Sequence, residues 1–211
     1  MDVMDILKRY VDVIHPSTFR SAIATEAKRA DAKITFLNAV LIGLFGVITL
    51  LVSFYLYSSM LNAMFSGTGV VVPAEVPALQ QKMMESVAPV SLIVNFLVTL
   101  ASFYVFNIFL FYVCRALGGE GKLENQLYTT SIIGVSISVI YSLAIILGIG
   151  PLACVAVPLA LLAMLYLLFL TYITVRAVHV KLDQWRAVGA VVIDVLVLGV
   201  AALLITKYFG G

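Results

Sequence analysis

The chain has 211 residues, of which 63% are hydrophobic and only 11% are charged. Soluble domains carry about 25% charged residues, so this composition excludes an ordinary soluble domain and indicates a protein embedded in a membrane. The formal net charge of +2 does not favour binding to nucleic acid. Residues 1–33 contain six Lys or Arg and five Asp or Glu without a continuous apolar segment, so no cleavable signal peptide is expected.

The first predicted element is an amphipathic helix over residues 3–14. Its apolar side chains recur at helical spacing, and charged side chains fall on the opposite side. The apolar residues are Val3, Ile6, Leu7, Tyr10, Val11 and Ile14, and the charged residues are Asp5, Lys8, Arg9 and Asp12. Pro16 ends this helix, and Ser17 is suited to cap a second one. We expect the apolar face to lie on the membrane or on the protein's own cytoplasmic face.

Four long stretches nearly free of charge come next. Residues 34–74, 86–114 and 125–175 contain no Asp, Glu, Lys or Arg, and residues 187–206 contain only Asp194. A helix needs about 20 apolar residues to cross a bilayer, so the 51-residue stretch can cross twice, with a turn at 148–151. The spans are predicted at about 34–60, 90–114, 127–147, 152–175 and 187–206, with a short interfacial helix at 78–87.

The distribution of Lys and Arg predicts the orientation of these spans. The N-terminal segment and the loops 115–126 and 176–186 carry 11 such residues, whereas the opposite side carries two. The positive-inside rule therefore places the N-terminus in the cytoplasm and the C-terminus outside the cell membrane. The predicted fold is an all-α integral membrane protein, with a cytoplasmic amphipathic segment over 1–33 and a five-span membrane domain over 34–207.

Asp194 is the one charged residue within a predicted span. It lies eight residues beyond Arg186, about 12 Å along a helix, and a charge near the centre of a span costs about 2.5–3.5 kcal/mol. We therefore expect Asp194 to be neutral, paired or in contact with water. Asn107 is at matching depth and is its first predicted partner, followed by Ser136 and Ser138. This intramembrane polar cluster is either a hydrogen-bonded link between helices or a proton- or cation-linked site.

A stripe of small residues, Gly134, Ser138 and Ser142, recurs every four residues along the third span. Small residues let helix backbones approach closely in lipid, so this stripe is predicted to pack against another span. A permeation path lined by the serines is the alternative interpretation.

The loop after the second span contains Gly118, Gly119 and Gly121. It lacks the Gly-Lys-Ser/Thr ending of a phosphate-binding loop and follows a helix rather than a strand, so a flexible cytoplasmic turn is expected. His15 and His179 have no clustered Cys, Asp or Glu, and the chain contains neither His-Glu-x-x-His nor Gly-x-Ser-x-Gly. No catalytic residue, metal or cofactor is therefore expected, and the protein is not expected to be an enzyme.

Three segments of the chain are distinctive in combination with five spans. They are Ile14-His15-Pro16-Ser17-Thr18-Phe19, then Ala116-Leu117-Gly118-Gly119-Glu120-Gly121 with Leu127-Tyr128, and finally Val175-Arg176-Ala177-Val178-His179-Val180 with Trp185-Arg186-Ala187. In these segments and in its layout the chain resembles the Yip domain family, the relatives of the Ypt-interacting proteins. The resemblance covers most of the chain and implies a small non-enzymatic membrane protein of the family's prokaryotic branch.

Eukaryotic members of this family are implicated in vesicle trafficking and in the binding of Rab GTPases. They usually carry a longer cytoplasmic N-terminus with an Asp-Leu-Tyr-Gly-Pro motif, and neither feature occurs in this sequence. Binding of a Rab-type GTPase is therefore not carried over to this chain.

Two functions remain open from the sequence. The first is a membrane scaffold or adaptor that organises membrane lipids, other membrane proteins or further copies of itself through helix 3–14 and the two cytoplasmic loops. The alternative is a small oligomeric transporter or channel in which Asp194 is the coupling or selectivity group. The odd number of spans and the lack of a detectable internal repeat weigh against a transporter, because many transporters contain two related halves.

Overall fold

The computed structural model describes residues 3–65, 81, 84–147 and 153–209. These residues form helices joined by turns, and none of them belongs to a β-strand. The helices are α1 (Val3–Asp12), α2 (Phe19–Glu26), α3 (Ala32–Phe65), α4 (Pro89–Ala116), α5 (Leu123–Leu147), α6 (Ala153–Val178) and α7 (Gln184–Phe209).

Among the described residues, the helices α3 to α7 are long and apolar enough to cross a membrane. The qualifying segments are Ala32–Met60, Pro89–Ala116, Leu123–Leu147, Val157–Val178 and Gln184–Ala201. The predicted all-α fold with five spans is therefore confirmed. The turn predicted at 148–151 and part of the interfacial helix predicted at 78–87 lie outside the described residues.

Two of the spans begin at aspartates that cap them. Oδ1 of Asp31 accepts hydrogen bonds from two backbone N–H groups in the first turn of α3, at 2.9 and 3.1 Å. Oδ1 of Asp183 accepts the N–H of Arg186 in the first turn of α7 at 2.9 Å. Such caps satisfy donors that have no partner inside the helix. Both helices therefore begin two to three residues before the predicted spans.

The helix α5 lies at the centre of the bundle and packs on α3, α4 and α6. Gly134 faces α3, where an added Cβ atom would lie 2.6 Å from Cδ1 of Ile42 and would displace the end of that side chain. Farther along the same pair of helices, Oγ1 of Thr49 donates to Oγ of Ser142 at 2.6 Å. Ser138, which lies between them, is half-buried. The structure thus places Gly134 and Ser142 of the small-residue stripe against α3.

The helices α1 and α2 pack along the sides of α5 and α6 rather than beyond their ends. Oγ of Ser136 donates to the C=O of Tyr10 at 2.8 Å, and the hydroxyl of Tyr166 donates to a backbone C=O just after α1. Ser136 lies 13 residues beyond the first residue of α5, which is about 20 Å along the helix. Val13 and Ile23 are fully buried in a core shared with α5 and α6.

Candidate functional site

His179 joins two loops at one end of the bundle, and its side chain is fully buried. Nδ1 accepts the N–H of Gly121 at 3.0 Å, and Nε2 lies 2.9 Å from Oε1 of Gln126. A backbone N–H can only donate, so Nδ1 carries no proton and Nε2 carries the proton that it donates to Gln126. We call the two loops, residues 117–122 and 179–183, the loop platform.

The protonation state of His179 agrees with this geometry. Burial, followed by the positive charge of Arg115, lowers the pKa of His179 from its ordinary value of 6.5 to about 4. The imidazole is therefore neutral at pH 7. A proton on Nδ1 would replace an acceptor with a donor and would break the hydrogen bond from Gly121.

The glycines of the loop platform are explained by close packing. A Cβ atom on Gly119 would lie 2.6 Å from Nδ1 of His179 and 2.9 Å from the C=O of Cys114. A Cβ atom on Gly121 would lie 2.8 Å from the same nitrogen. Gly118 has a φ of 98°, in the left-handed region that favours glycine. The sequence pattern predicts a flexible turn, whereas the structure packs this loop tightly around the buried ring.

Two surface contacts also connect the loops. Nζ of Lys181 lies 2.7 Å from Oε1 of Glu120, and Nη1 of Arg186 donates to the C=O of Leu117 at 3.2 Å. Both side chains of the ion pair are mostly exposed, and such pairs contribute about 0–1 kcal/mol. The buried hydrogen bonds of His179 are therefore the stronger link between the two loops.

The hydrogen bonds continue from the loop platform into the membrane helices. Nε2 of Gln126 donates to the C=O of Asn107 at 3.0 Å, and Oγ1 of Thr130 donates to Oδ1 of Asn107 at 2.6 Å. Nδ2 of Asn107 donates to the C=O of Phe103 at 2.8 Å. The chain of hydrogen bonds from Gly121 to Phe103 thus links the loop platform to α4 and α5.

Asp194 does not take part in this network. Its side chain is fully buried, and neither carboxyl oxygen has a hydrogen-bond partner among the described residues. It lies close enough to Cys114 of α4 to interact with it electrostatically. The prediction that Asn107 would be its partner is therefore wrong, because both polar atoms of the Asn107 side chain are bonded elsewhere.

The second predicted partners of Asp194 are also not its partners. Ser136 donates to the C=O of Tyr10 instead, and it lies on α5 together with Ser138. The helix that carries Asp194, α7, packs on α4 and α6. Matching residues by depth identifies the level of a side chain in the membrane, but it does not identify which helices are neighbours. For this reason the predicted polar cluster is not assembled.

The arrangement around His179 is suited to holding the two loops together. His179, Gln126 and Asn107 are buried, and their polar side-chain atoms are engaged with one another or with the backbone. Within the part of the chain that the structure describes, no group of three or more His, Cys, Asp or Glu side chains could hold a metal ion.

Sequence reasoning missed Gln126 and Thr130. The signal was present, because these two polar residues are four apart at the beginning of an apolar span, which places them on one helical face. A second signal is that residues 116–121 and 175–180 both resemble segments of the same protein family. The structure shows that these two segments contact each other through His179.

Comparison with known proteins identifies the family of the five-span helical bundle. A model of the Yip1 domain matches residues 11–206 of the chain. Searches of curated proteins and of solved structures found no match. The matched range contains α2 to α6 entirely and most of α7, together with both loops of the loop platform. Because the match covers most of its length, the chain belongs to the Yip1 domain family.

Proposed function

We propose that this protein is a non-enzymatic scaffold or adaptor of the cell membrane and that the loop platform is its docking surface. The observation that carries the proposal is the buried hydrogen-bonding of His179, which holds loops from two parts of the chain as one surface. A preformed surface loses less conformational entropy when a partner binds than two independent loops would lose.

The side chains that surround this buried centre support a docking role. Val180 is 82% exposed, and Trp185 at the start of α7 is 79% exposed. Tryptophan is enriched among the residues that dominate binding at protein interfaces, although it also occurs at membrane surfaces. The ion pair between Lys181 and Glu120 lies in the same loops and provides polar groups at their surface.

The charge distribution favours a cytoplasmic position for the loop platform. Lys122, Lys181 and Arg186 lie in or next to it, and the N-terminal segment adds six further cations. In the proposed orientation the N-terminus is cytoplasmic, the C-terminus is outside, and partners reach the loop platform from the cytoplasm. Membrane proteins, including further copies of this chain, are the proposed partners.

Site-specific photocrosslinking in native membranes tests the docking surface. A photoreactive amino acid at Val180 is expected to give discrete crosslinked protein products. Val90 is the matched control, because it is also a valine, is 72% exposed and lies at the first turn of α4, at the opposite end of the bundle. Equal protein products at both positions, or lipid adducts alone at Val180, would contradict the proposal.

A second candidate function is transport, with oligomers of the protein carrying protons or cations. The observation in its favour is the fully buried Asp194, whose carboxyl oxygens have no hydrogen-bond partner among the described residues. An ionisable residue in a membrane span is a default candidate for an ion pathway. Flux driven by a pH gradient in proteoliposomes, lost in Asp194→Asn, would favour this candidate over the scaffold.

A further inference from the structure

The helices α1 and α2 and the turn between them form a hairpin beside α5 and α6, and we call residues 3–27 the N-terminal hairpin. Its last residue lies near the loop platform, where Nδ2 of Asn125 donates to the C=O of Ala27 at 2.7 Å. Asn125 is the first residue of the charge-free stretch 125–175, so this contact marks the polar edge of the membrane.

The turn of the hairpin lies far beyond that edge. Oγ of Ser136 donates to the C=O of Tyr10 at 2.8 Å, and Ser136 is 11 residues beyond the edge, about 16 Å along α5. On α6, the hydroxyl of Tyr166 donates to the C=O of Ile14 at 2.5 Å. Tyr166 is 12 residues, or about 18 Å, before Val178 at the end of α6. Half of the hydrocarbon core is about 15 Å thick, so the hairpin reaches through one leaflet.

The exposed hydroxyl groups of the turn and of α2 are bonded within the hairpin. Oγ of Ser17 lies 2.9 Å from Nδ1 of His15. Ser21 and Thr25 on the outer face of α2 each donate to a backbone C=O three or four residues earlier, at 2.9 and 2.8 Å. A polar group in hydrocarbon must find its partner inside the protein, because lipid chains offer none. These hydroxyl groups meet that requirement, so the outer face of α2 is suited to contact with lipid.

The long cationic side chains of the hairpin can reach back to the polar edge. Tyr10, the residue after Arg9, is at the level of Ser136. Nη1 of Arg9 nevertheless lies 3.5 Å from the hydroxyl of Tyr128, which is eight residues nearer to the edge. Arg20, exposed in the first turn of α2, has a side chain of the same length. Such side chains keep their charge at the polar edge while their stems lie in lipid.

The outer face of α1 also carries apolar side chains. Val11 is 55% exposed and lies one residue beyond Tyr10, and Leu7 is 53% exposed. Asp5, an exposed acidic residue of α1, lies near the start of the helix and away from the turn. The apolar side chains near the turn are therefore suited to contact with lipid chains.

The N-terminal hairpin covers only one half of α5. In the half next to the loop platform, Tyr128, Ile132 and Ile133 are at most 2% exposed. In the other half, Tyr141 and Leu143 are 47% and 55% exposed. The protein is therefore wider, by the two helices of the hairpin, in the leaflet next to the loop platform.

We propose that the N-terminal hairpin is inserted among the lipid chains of this leaflet and makes the protein a wedge, which favours membranes curved with this leaflet outermost. Helices inserted in one leaflet enlarge its area relative to the other, and this difference couples insertion to curvature. The inference goes beyond the proposed scaffold function. It depends neither on docking at the loop platform nor on which side of the membrane is cytoplasmic.

Fluorescence quenching of the full-length protein in lipid vesicles tests the insertion. Trp185 is the only tryptophan in the sequence, so Trp185→Phe gives a background without one. In that background Ser17→Trp places a reporter at the turn, and Lys28→Trp, also at an exposed residue, is the matched control at the polar edge. Lipids brominated deep in their chains should quench the reporter at 17 several-fold more than aqueous iodide does, and the order should reverse at 28.

Two results of this experiment would overturn the proposal. Equal quenching by iodide at 17 and 28 would place the turn in water. Quenching at 17 by neither reagent would show that protein, such as a second copy of the chain, covers the turn instead of lipid. If Ser17→Trp does not fold, Arg20→Trp, at an exposed residue one turn away, applies the same test.

The orientation of the wild-type protein in vesicles of two sizes tests the wedge. Trp185 lies next to the loop platform and is 79% exposed, so external iodide reports the fraction of molecules whose platform faces outward, relative to permeabilised vesicles. After insertion into preformed vesicles, this fraction should be larger in small sonicated vesicles than in large extruded ones, because the outer leaflet of a small vesicle is strongly convex. Equal fractions in the two sizes would overturn the wedge.

Ile23→Asp connects the wedge to the hairpin. Ile23 is fully buried against α5 and α6, so a charge there should release the hairpin and abolish the difference between small and large vesicles. A difference that persists while iodide reaches a reporter at 17 would show that the wedge is not built from the hairpin and would overturn the proposal. If Ile23→Asp does not fold, the comparison of vesicle sizes with the wild-type protein still decides. None of these results bears on crosslinking at Val180, so the two proposals fail separately.

Discussion

His179 and Asp194 are both fully buried polar side chains of one bundle, and both lie against α4, but their surroundings are opposite. The ring of His179 is centred 5.6 Å from the ring of Phe111, and both of its nitrogens are hydrogen-bonded. Asp194 is near Cys114, and neither of its oxygens has a partner among the described residues. A satisfied network fixes a geometry, whereas an unsatisfied group lowers stability.

This difference indicates that His179 and Asp194 have different roles in the protein. The bonds of His179 account for its burial, because they connect the loop platform to α4 and α5. Among the described residues no hydrogen bond accounts for the burial of Asp194, so hydrogen bonding does not explain a carboxyl at that position. Mutations at these two residues and their neighbours should therefore differ widely in their effect on stability.

His179→Ala should cause the largest loss of stability. It leaves the N–H of Gly121 and Oε1 of Gln126 without partners and opens a cavity, so the free energy of unfolding should fall by about 3 kcal/mol or more. Denaturant unfolding of the purified protein measures this change. The exposed His15 is the control, and His15→Ala should change stability by less than about 0.5 kcal/mol. Similar losses for both variants would contradict the structural role of His179.

The pH dependence of stability should report on the same residue. The pKa of His179 is about 4 in the folded protein and about 6.5 when unfolded, so below pH 6.5 the unfolded chain binds a proton that the folded protein excludes. Stability should therefore fall as the pH decreases from about 6.5 to about 4, by about 3 kcal/mol in total. Unfolding of His179→Gln over the same range should lack this component. A wild-type slope equal to that of the variant would show that His179 is not buried as a neutral ring.

Gly119→Ala should have the next largest effect. The added Cβ atom would lie 2.6 Å from Nδ1 of His179 and 2.9 Å from a backbone oxygen, so one of these groups must move. Overpacking of this kind costs about 1–3 kcal/mol. Gly189→Ala is the matched control, because no atom lies within 4 Å of a Cβ atom there and alanine favours a helix. Thermal unfolding should separate the two variants, and equal stability would mean that the loop is loosely packed.

Asp194→Asn should have the smallest effect on stability. The described residues offer no hydrogen bond for this variant to lose, so the free energy of unfolding should change by less than about 0.5 kcal/mol. Asn107→Leu is the comparison, and it should cost about 1–2 kcal/mol because Thr130 and Phe103 lose their partner. A loss at Asp194 as large as that at Asn107 would reveal a partner and would end the contrast with His179.

The sequence predicts the five spans well because the physical requirement is simple. A crossing segment must be apolar over about 20 residues, and the charge-free stretches meet that requirement almost by themselves. The caps at Asp31 and Asp183 extend two helices beyond the predicted bounds, because their polar side chains satisfy the first turn from outside the apolar stretch.

The contacts between buried side chains could not be predicted from the sequence. Depth along a span says nothing about which helix faces which. Matching by depth therefore predicts a pairing of Asp194 with Asn107, whereas Asn107 bonds Thr130. The sequence offers His179 as a weak metal-ligand candidate and as part of a segment that resembles the Yip domain family, and it predicts a flexible turn at the glycines, but it does not indicate that the ring and the glycines are in contact. A close contact between a glycine and a buried ring depends on the path of the whole loop, which no local pattern reports.

His179 holds the loop platform as one fixed surface, and hydrogen exchange of the Gly121 amide is the direct test of this role. That N–H donates to Nδ1 of His179, so it should be protected in the wild-type protein and should lose its protection in His179→Ala, with little change in the spans. Exchange of the Gly121 amide at the rate of an unstructured peptide in the wild-type protein would contradict the account.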